Sequence, residues 1–171
     1  MPYYLSQKVI NYGKILKNDM ISEGDSVPKF TINDANGNKI KSTDFKGKKH
    51  VIYFYPKDFT PGCTTEADEF SKDYKKFQKE GIEIIGISPD DVDSHKKFCD
   101  KMGIKYPLLA DVDKEISKMF GVWSLKKFMG REYMGLVRST FLVDENEKIF
   151  KVFPKVKAKG HSKQVLDEFL K

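Results

Sequence analysis

Val51-Ile52-Tyr53-Phe54-Tyr55-Pro56-Lys57-Asp58-Phe59-Thr60-Pro61-Gly62-Cys63-Thr64-Thr65-Glu66 decides the reading of this chain. Its first five residues form a continuous β-prone run, suited to a strand buried on both faces, and Pro56 ends it. Beyond the turn, Cys63, Ala67, Phe70, Tyr74 and Phe77 recur at steps of four and three. That spacing predicts one face of a helix ending near Gly81. Pro61 and Gly62 place Cys63 in the first helical turn, where free backbone N–H groups and the positive end of the helix dipole favour a thiolate. The Thr60 hydroxyl lies close enough along the loop to sit beside the sulfur. The competing reading makes Cys63 a small core hydrophobe on the apolar helix face, as cysteine often is. Its position directly after a Thr-Pro-Gly turn favours the reactive reading.

Working outward, Ile82–Ser88 reads as a second buried strand. Strand, helix and strand make a βαβ unit, whose strands lie parallel with a right-handed crossover. Upstream, Phe30–Ile32 and Lys39–Lys41 flank Asn33–Asn38, a run of turn formers that predicts a hairpin. Downstream, helices are expected over Ser94–Met102, with His95, Phe98, Cys99 and Met102 along one side, and over Lys114–Phe120. Ser139–Val143 and Lys148–Phe153 flank Asp144–Glu147, giving an antiparallel hairpin, and Ser162 is a suitable N-cap for a last helix through Leu170. A parallel βαβ half followed by a ββα half is the thioredoxin arrangement. The expected fold is therefore α/β and thioredoxin-like: a central mixed sheet flanked by helices on both faces, with an amino-terminal hairpin. Two segments are expected, an amino-terminal extension over residues 1–19, frayed or a short helix, and one domain over residues 20–171. An organellar transit peptide fits the first segment poorly, because it has no Arg.

Composition narrows the function classes. The chain has 171 residues, 39% hydrophobic and 33% charged, which suits one ordinary globular domain. No apolar run approaches the ~18 residues that span a bilayer, and a cytoplasmic address is expected. Basic residues outnumber acidic ones by 31 to 25, a net charge of +6. They are mostly Lys interleaved with acids, and only Arg131 and Arg138 are arginines, so a solvated surface is expected and no nucleic-acid partner. Two cysteines, Cys63 and Cys99, are too few for a disulfide scaffold. His50, His95 and His161 are scattered without zinc spacing, so neither metal nor other cofactor is expected.

Pro56, Thr60 and Cys63 form the Pro-x-x-x-Thr-x-x-Cys pattern, and here the chain resembles the peroxiredoxins. The string Phe54–Glu66 is similar to their bacterioferritin comigratory protein, or PrxQ, branch. So are Tyr106-Pro-Leu-Leu-Ala-Asp111, Phe120-Gly-Val-Trp123, Lys127-Phe-Met-Gly130 and Arg138-Ser-Thr-Phe-Leu-Val-Asp144. The resemblance runs from Gly24 to Lys171. It implies a thiol peroxidase in which Cys63 attacks a hydroperoxide and becomes a sulfenic acid. It further implies that Thr60 hydrogen-bonds peroxide and thiolate, that Arg138 holds the thiolate and the leaving oxygen, that Pro56 shields the pocket, and that Glu66 orients Arg138. Thioredoxin or a similar dithiol is the implied reductant and a monomer the implied state.

The chain departs from the branch's commonest pattern, since Asp68 stands where many relatives carry the resolving cysteine. Cys99 is the intramolecular candidate, similar to a subgroup that places this cysteine on the following helix. Cysteines on separate helices are expected to exceed the ~7 Å Cα separation a disulfide tolerates. Local unwinding of both helices is then needed to join them. The alternatives are a one-cysteine peroxidase resolved by an external thiol and a peroxide-sensing interaction protein without turnover.

Overall fold

In the computed structural model, which describes residues 20–171, the run read as buried on both faces is strand β3 (Lys49–Phe54). Its alternate side chains divide between two cores. Val51 and Tyr53, with Tyr55 just beyond, enter one, while Ile52 and Phe54 enter the other, as the period of two requires. The expectation for residues 1–19 lies outside the described residues.

β3 is the middle of a five-stranded sheet. Its neighbours are β4 (Ile82–Ser88), parallel with Val51 opposite Ile84, and β8 (Ser139–Val143), antiparallel with Ile52 opposite Phe141. β5 (Leu108–Ala110) extends the sheet beside β4 and β9 (Ile149–Phe153) closes it beside β8. Helices α1 (Pro61–Lys79), α2 (Val92–Met102) and α4 (His161–Phe169) cover the first core. The short α3 (Glu115–Met119) and a 3-10 turn at Ser42–Phe45 contribute Ile116 and Phe45 to the second. This is the mixed-sheet, thioredoxin-like α/β fold expected, with the amino-terminal hairpin present as β1 (Thr31–Asn33) and β2 (Lys39–Lys41).

The first core is aromatic. Phe70 of α1 stacks on Tyr53 at 4.8 Å, and the Tyr53 hydroxyl meets that of Tyr106 at 2.8 Å. Burial of each such ring contributes roughly 2–3 kcal/mol. Space for Tyr53 depends on Gly86 of β4, where a Cβ would lie 2.9 Å from the ring and 2.7 Å from a Leu108 methyl.

Three details differ from the sequence reading. α2 begins at Val92 rather than Ser94, because Asp91 caps it by accepting the Ser94 N–H at 2.8 Å. α4 begins two residues early, at His161, with Gly160 at φ +81 as its N-cap. Glu69 of α1 accepts the Gly160 N–H, and the Ser162 hydroxyl instead donates to Asp73. Finally, β6 (Trp123–Phe128) and β7 (Arg131–Leu136) form a separate antiparallel arm that periodicity did not predict. Its two-residue turn, Met129-Gly130, has both φ values positive at +50 and +76, the geometry of a twisted hairpin turn.

Candidate active site

Parallel pairing of β3 with β4 sends the chain from the end of β3 into a loop, Pro56–Thr60, and then into α1. Thr60 is the N-cap, Pro61 the first helical residue and Cys63 the third. Pro61 has no N–H to orphan, whereas the N–H groups of Gly62 and Cys63 have no intrahelical carbonyl to bind. The first helical bond in the loop is from Thr64 N–H to the Thr60 carbonyl, at 2.8 Å. Cys63 is therefore held where the helix presents donors, and it is 1% exposed.

Arg138 arrives from the other half of the fold. Ser139 of β8 pairs with Phe54 at the end of β3, which sets the residue before it beside the loop. The flanking backbone is fixed by bonds from Val137 N–H to the Val122 carbonyl and from Val156 N–H to the Arg138 carbonyl. One arm of the guanidinium, Nη2, donates to Cys63 Sγ at 3.1 Å. The other, Nη1, donates to Glu66 Oε1 at 2.7 Å. The fork spans two acceptors one helical turn apart, a geometry that a lysine cannot reproduce. Gly62 permits the approach, since a Cβ there would lie 3.1 Å from Nη2.

Glu66 is buried on the inner face of α1, and its Oε2 has no hydrogen-bond partner in the protein. Burial pushes its carboxyl up to about 7, against the pull of Arg138. Thr60 stands at the mouth of the site with its hydroxyl donating to the Lys57 carbonyl at 2.8 Å, which leaves its oxygen free to accept. Pro56, half-buried, begins the loop. Phe59 takes φ +66 in that loop and lays its ring against Phe98 of α2 at 5.1 Å. The structure thus brings Cys63, Arg138 and Glu66 into direct contact, with Thr60 and Pro56 in the loop that leads into Cys63.

Cys99 is not in contact with that group. It sits half-buried on α2, packed against the same core that Cys63 enters, and both thiols are free. Burial, reinforced by the charges of Asp58 and Asp100, pushes its thiol up to about 11. As it stands in the folded protein, Cys99 is a poor nucleophile.

Sequence reasoning missed a buried polar group joining the loop to α2. Asp58 receives Tyr55 and Ser94 hydroxyls and faces His95, and its N–H donates to Asp90. The signal was available in part, since His95 is a polar residue on the apolar side of α2. Ligand atoms of Asp58, Asp90 and His95 lie within 4.8 Å of one another, but Tyr55, Ser88, Ser94 and the Asp58 N–H occupy their acceptor positions. That donor set is built for hydrogen bonding rather than for an ion. A cleft of about 770 Å³ between β1, the start of α2 and α3 does not include Cys63; the site is defined by its thiol, not by volume. No helix of the described residues is long and apolar enough to cross a membrane.

A thioredoxin-like sheet with one cysteine at a helix N-terminus, gripped by an arginine, defines a thiol-centred redox protein. The AhpC/TSA family model matches residues 24–152. Peroxiredoxin Bcp of Bacillus subtilis is 43% identical over 146 residues, covering 85% of this chain and 93% of that protein. Among solved structures, Xanthomonas campestris Peroxiredoxin Q superposes with a TM-score of 0.79 at 38% identity, covering 82% of this chain and 89% of that one. The bacterioferritin comigratory protein of the same organism, described for its alkyl peroxide reduction activity, gives 0.79 at 36% identity, over 82% and 90% of the two chains. The chain belongs to the AhpC/TSA family, among its Bcp-type peroxiredoxins, and is a thiol peroxidase.

Proposed function

We propose that Cys63 is the peroxidatic residue and Cys99 its resolving partner, in a catalytic cycle that reduces hydrogen peroxide and organic hydroperoxides. The observation that carries this reading is the Arg138 fork, with Nη2 3.1 Å from Cys63 Sγ and Nη1 2.7 Å from Glu66.

The Cys63 thiolate attacks the terminal peroxide oxygen, the O–O bond breaks, and the leaving alkoxide or hydroxide takes a proton to depart as alcohol or water. The sulfur is oxidised to sulfenic acid and the peroxide is reduced. Arg138 and the free N–H groups of the first turn stabilise the negative charge that moves from sulfur to the leaving oxygen. Preorganised donors of this kind are worth about 100-fold to 1,000-fold each in rate. Thr60 hydrogen-bonds the incoming peroxide, Pro56 shields the site, and Glu66 orients the guanidinium. Cys99 then attacks the sulfenic sulfur, releasing water and leaving a Cys63–Cys99 disulfide, which a thioredoxin-type dithiol reduces by exchange. Alkyl peroxide reduction by the Xanthomonas campestris relative supports the organic substrates. The enzyme works as a monomer whose catalytic domain is residues 20–171.

The position of Cys99 on a separate helix, with its thiol pushed up to about 11, favours a second reading in which an outside thiol resolves Cys63. Peroxide consumption driven by a thioredoxin system decides between them. Cys63→Ser abolishes turnover in either case. Cys99→Ser abolishes it only if Cys99 resolves Cys63, and leaves it intact if an outside thiol does. Wild-type protein that consumes one equivalent of peroxide and stops, with reductant present, would instead be a sensor.

A further inference from the structure

The cleft between β1, the start of α2 and α3 takes no part in the chemistry at Cys63, yet it lies where the chain enters the domain. The Ile21 N–H donates to the Phe120 carbonyl, just past the end of α3, at 3.0 Å, and Met20 and Ile21 pack against the second core. Met119, the last residue of α3, lines the cleft. At about 770 Å³ it has the size of sites that seat a ligand or a chain segment. Its two sides differ in chemistry. The β1 side brings Lys29 and Lys39, whereas the helical side brings the exposed carboxylates of Asp93, Asp113 and Glu115. Asp91 and Asp111 also reach the cleft but are engaged with the N–H groups of Ser94 and of Ile116 and Ser117. Beside these acids, Val112 and Met119 stay 48% and 41% exposed. An acidic wall with an apolar lip, on a chain of net charge +6, fits an occupant that is both basic and apolar.

We propose that this cleft is the seat of the chain's own residues 14–17, with Ile15 and Leu16 covering Val112 and Met119, and Lys14 and Lys17 meeting Asp113 and Glu115. Residues 1–19 carry Lys8, Lys14 and Lys17 against a single acid, Asp19, and Lys14-Ile15-Leu16-Lys17 sets an apolar pair between two lysines. Leu16 stands four residues before Met20, a reach of up to about 14 Å of extended chain. Met20 itself is anchored next to the Phe120 carbonyl, so the lip formed by Met119 and Val112 is the first unoccupied apolar surface the segment meets. Exposed ion pairs are individually weak, but a tethered segment binds at high effective concentration, so a small apolar contact and two such pairs suffice. The AhpC/TSA match begins at residue 24, and membership of that family assigns residues 1–19 no role. Docking here is independent of how oxidised Cys63 is resolved.

Two measurements on the full chain test this. Zero-length carbodiimide coupling joins a lysine amine to a carboxylate only when the two are in contact. Peptide mass spectrometry should map linkages from Lys14 or Lys17 to Asp113 or Glu115. An equal mixture of ordinary and ¹⁵N-labelled chains should show them within one chain. The second measurement is hydrogen exchange of the amides of residues 112–120 in a charge-reversal cycle. Lys14→Glu with Lys17→Glu should speed exchange there by at least about threefold, the scale of two exposed ion pairs. In a chain already carrying Asp113→Lys and Glu115→Lys, the same two substitutions should slow exchange instead, because complementary charge is restored. Loss of folding would change exchange in the same direction in both backgrounds, so the reversal of sign separates docking from damage. Linkages that fall on other carboxylates, or only between ordinary and labelled chains, would overturn docking within the chain. So would exchange that responds to the tail substitutions alike whichever charge the cleft carries.

Discussion

Arg138 carries two loads at once, a sulfur and a carboxylate, and each is held by its own arm of the guanidinium. Arg138→Lys keeps the charge but gives one compact donor group in place of the fork, so it cannot serve both. Stopped-flow measurement of Cys63 oxidation should show a loss of about 100-fold or more; a loss below about threefold would mean that charge alone suffices. Glu66 offers a thermodynamic test. Its carboxyl titrates at about 7 in the folded protein against an ordinary 4.5, so between those values the native state holds a proton that the unfolded chain does not. Stability from this group is present below about pH 4.5 and is lost as pH rises through 7, by about 3 kcal/mol in all. The stability of wild type relative to Glu66→Gln, from urea unfolding, should fall accordingly over that window. Burial lowers the basicity of His50 and His161, which acts with the opposite sign but cancels in the comparison. A difference independent of pH would sink the assignment. At this scale the sequence reading named Cys63 and Thr60 from the turn that carries them, and Arg138 and Glu66 by resemblance to the peroxiredoxins. Asp58 and His95 escaped it, since their contact joins positions 37 residues apart and nothing in either neighbourhood announces the other.

Elements follow the same division between local and distant causes. β3, α1 and β4 were legible because apolar run, helical period and turn residues all agree over Val51–Ser88. The β6–β7 arm was not. Its turn is Met129-Gly130 rather than Asn-Gly, and Leu125, Phe128, Tyr133 and Met134 stay exposed, so no inward–outward alternation marks its strands. The start of α4 shows tertiary partners overriding a capping preference: Glu69 on α1 accepts the Gly160 N–H, and the Ser162 hydroxyl donates to Asp73 instead of capping the helix. β4 makes a demand on its own sequence at Gly86. A methyl group there meets Leu108 at 2.7 Å and the Tyr53 ring at 2.9 Å, and neither can retreat from a packed core. Gly86→Ala should cost roughly 1–3 kcal/mol by overpacking, read as a lowered urea midpoint. A midpoint within error of wild type would show that Tyr53 has slack.

At the scale of the whole molecule, the sheet separates two cores, and the peroxide chemistry sits at one edge of the first. Topology does the assembly. A parallel crossover delivers Cys63 to the end of β3, and antiparallel β8 returns Arg138 to the same end. The aromatic core packs beneath that end, while α2 is tied down by a cap, a left-handed Gly103 at its end and the Asp58–His95 pair. That arrangement suits the proposed attack of Cys63 on peroxide and the proposed role of Cys99 as its resolving partner. The most direct test of this account is intact and peptide mass spectrometry of the reduced protein after one equivalent of hydrogen peroxide. The account predicts loss of two hydrogens, mapped to a Cys63–Cys99 linkage. An unreacted Cys63 in folded protein would contradict it.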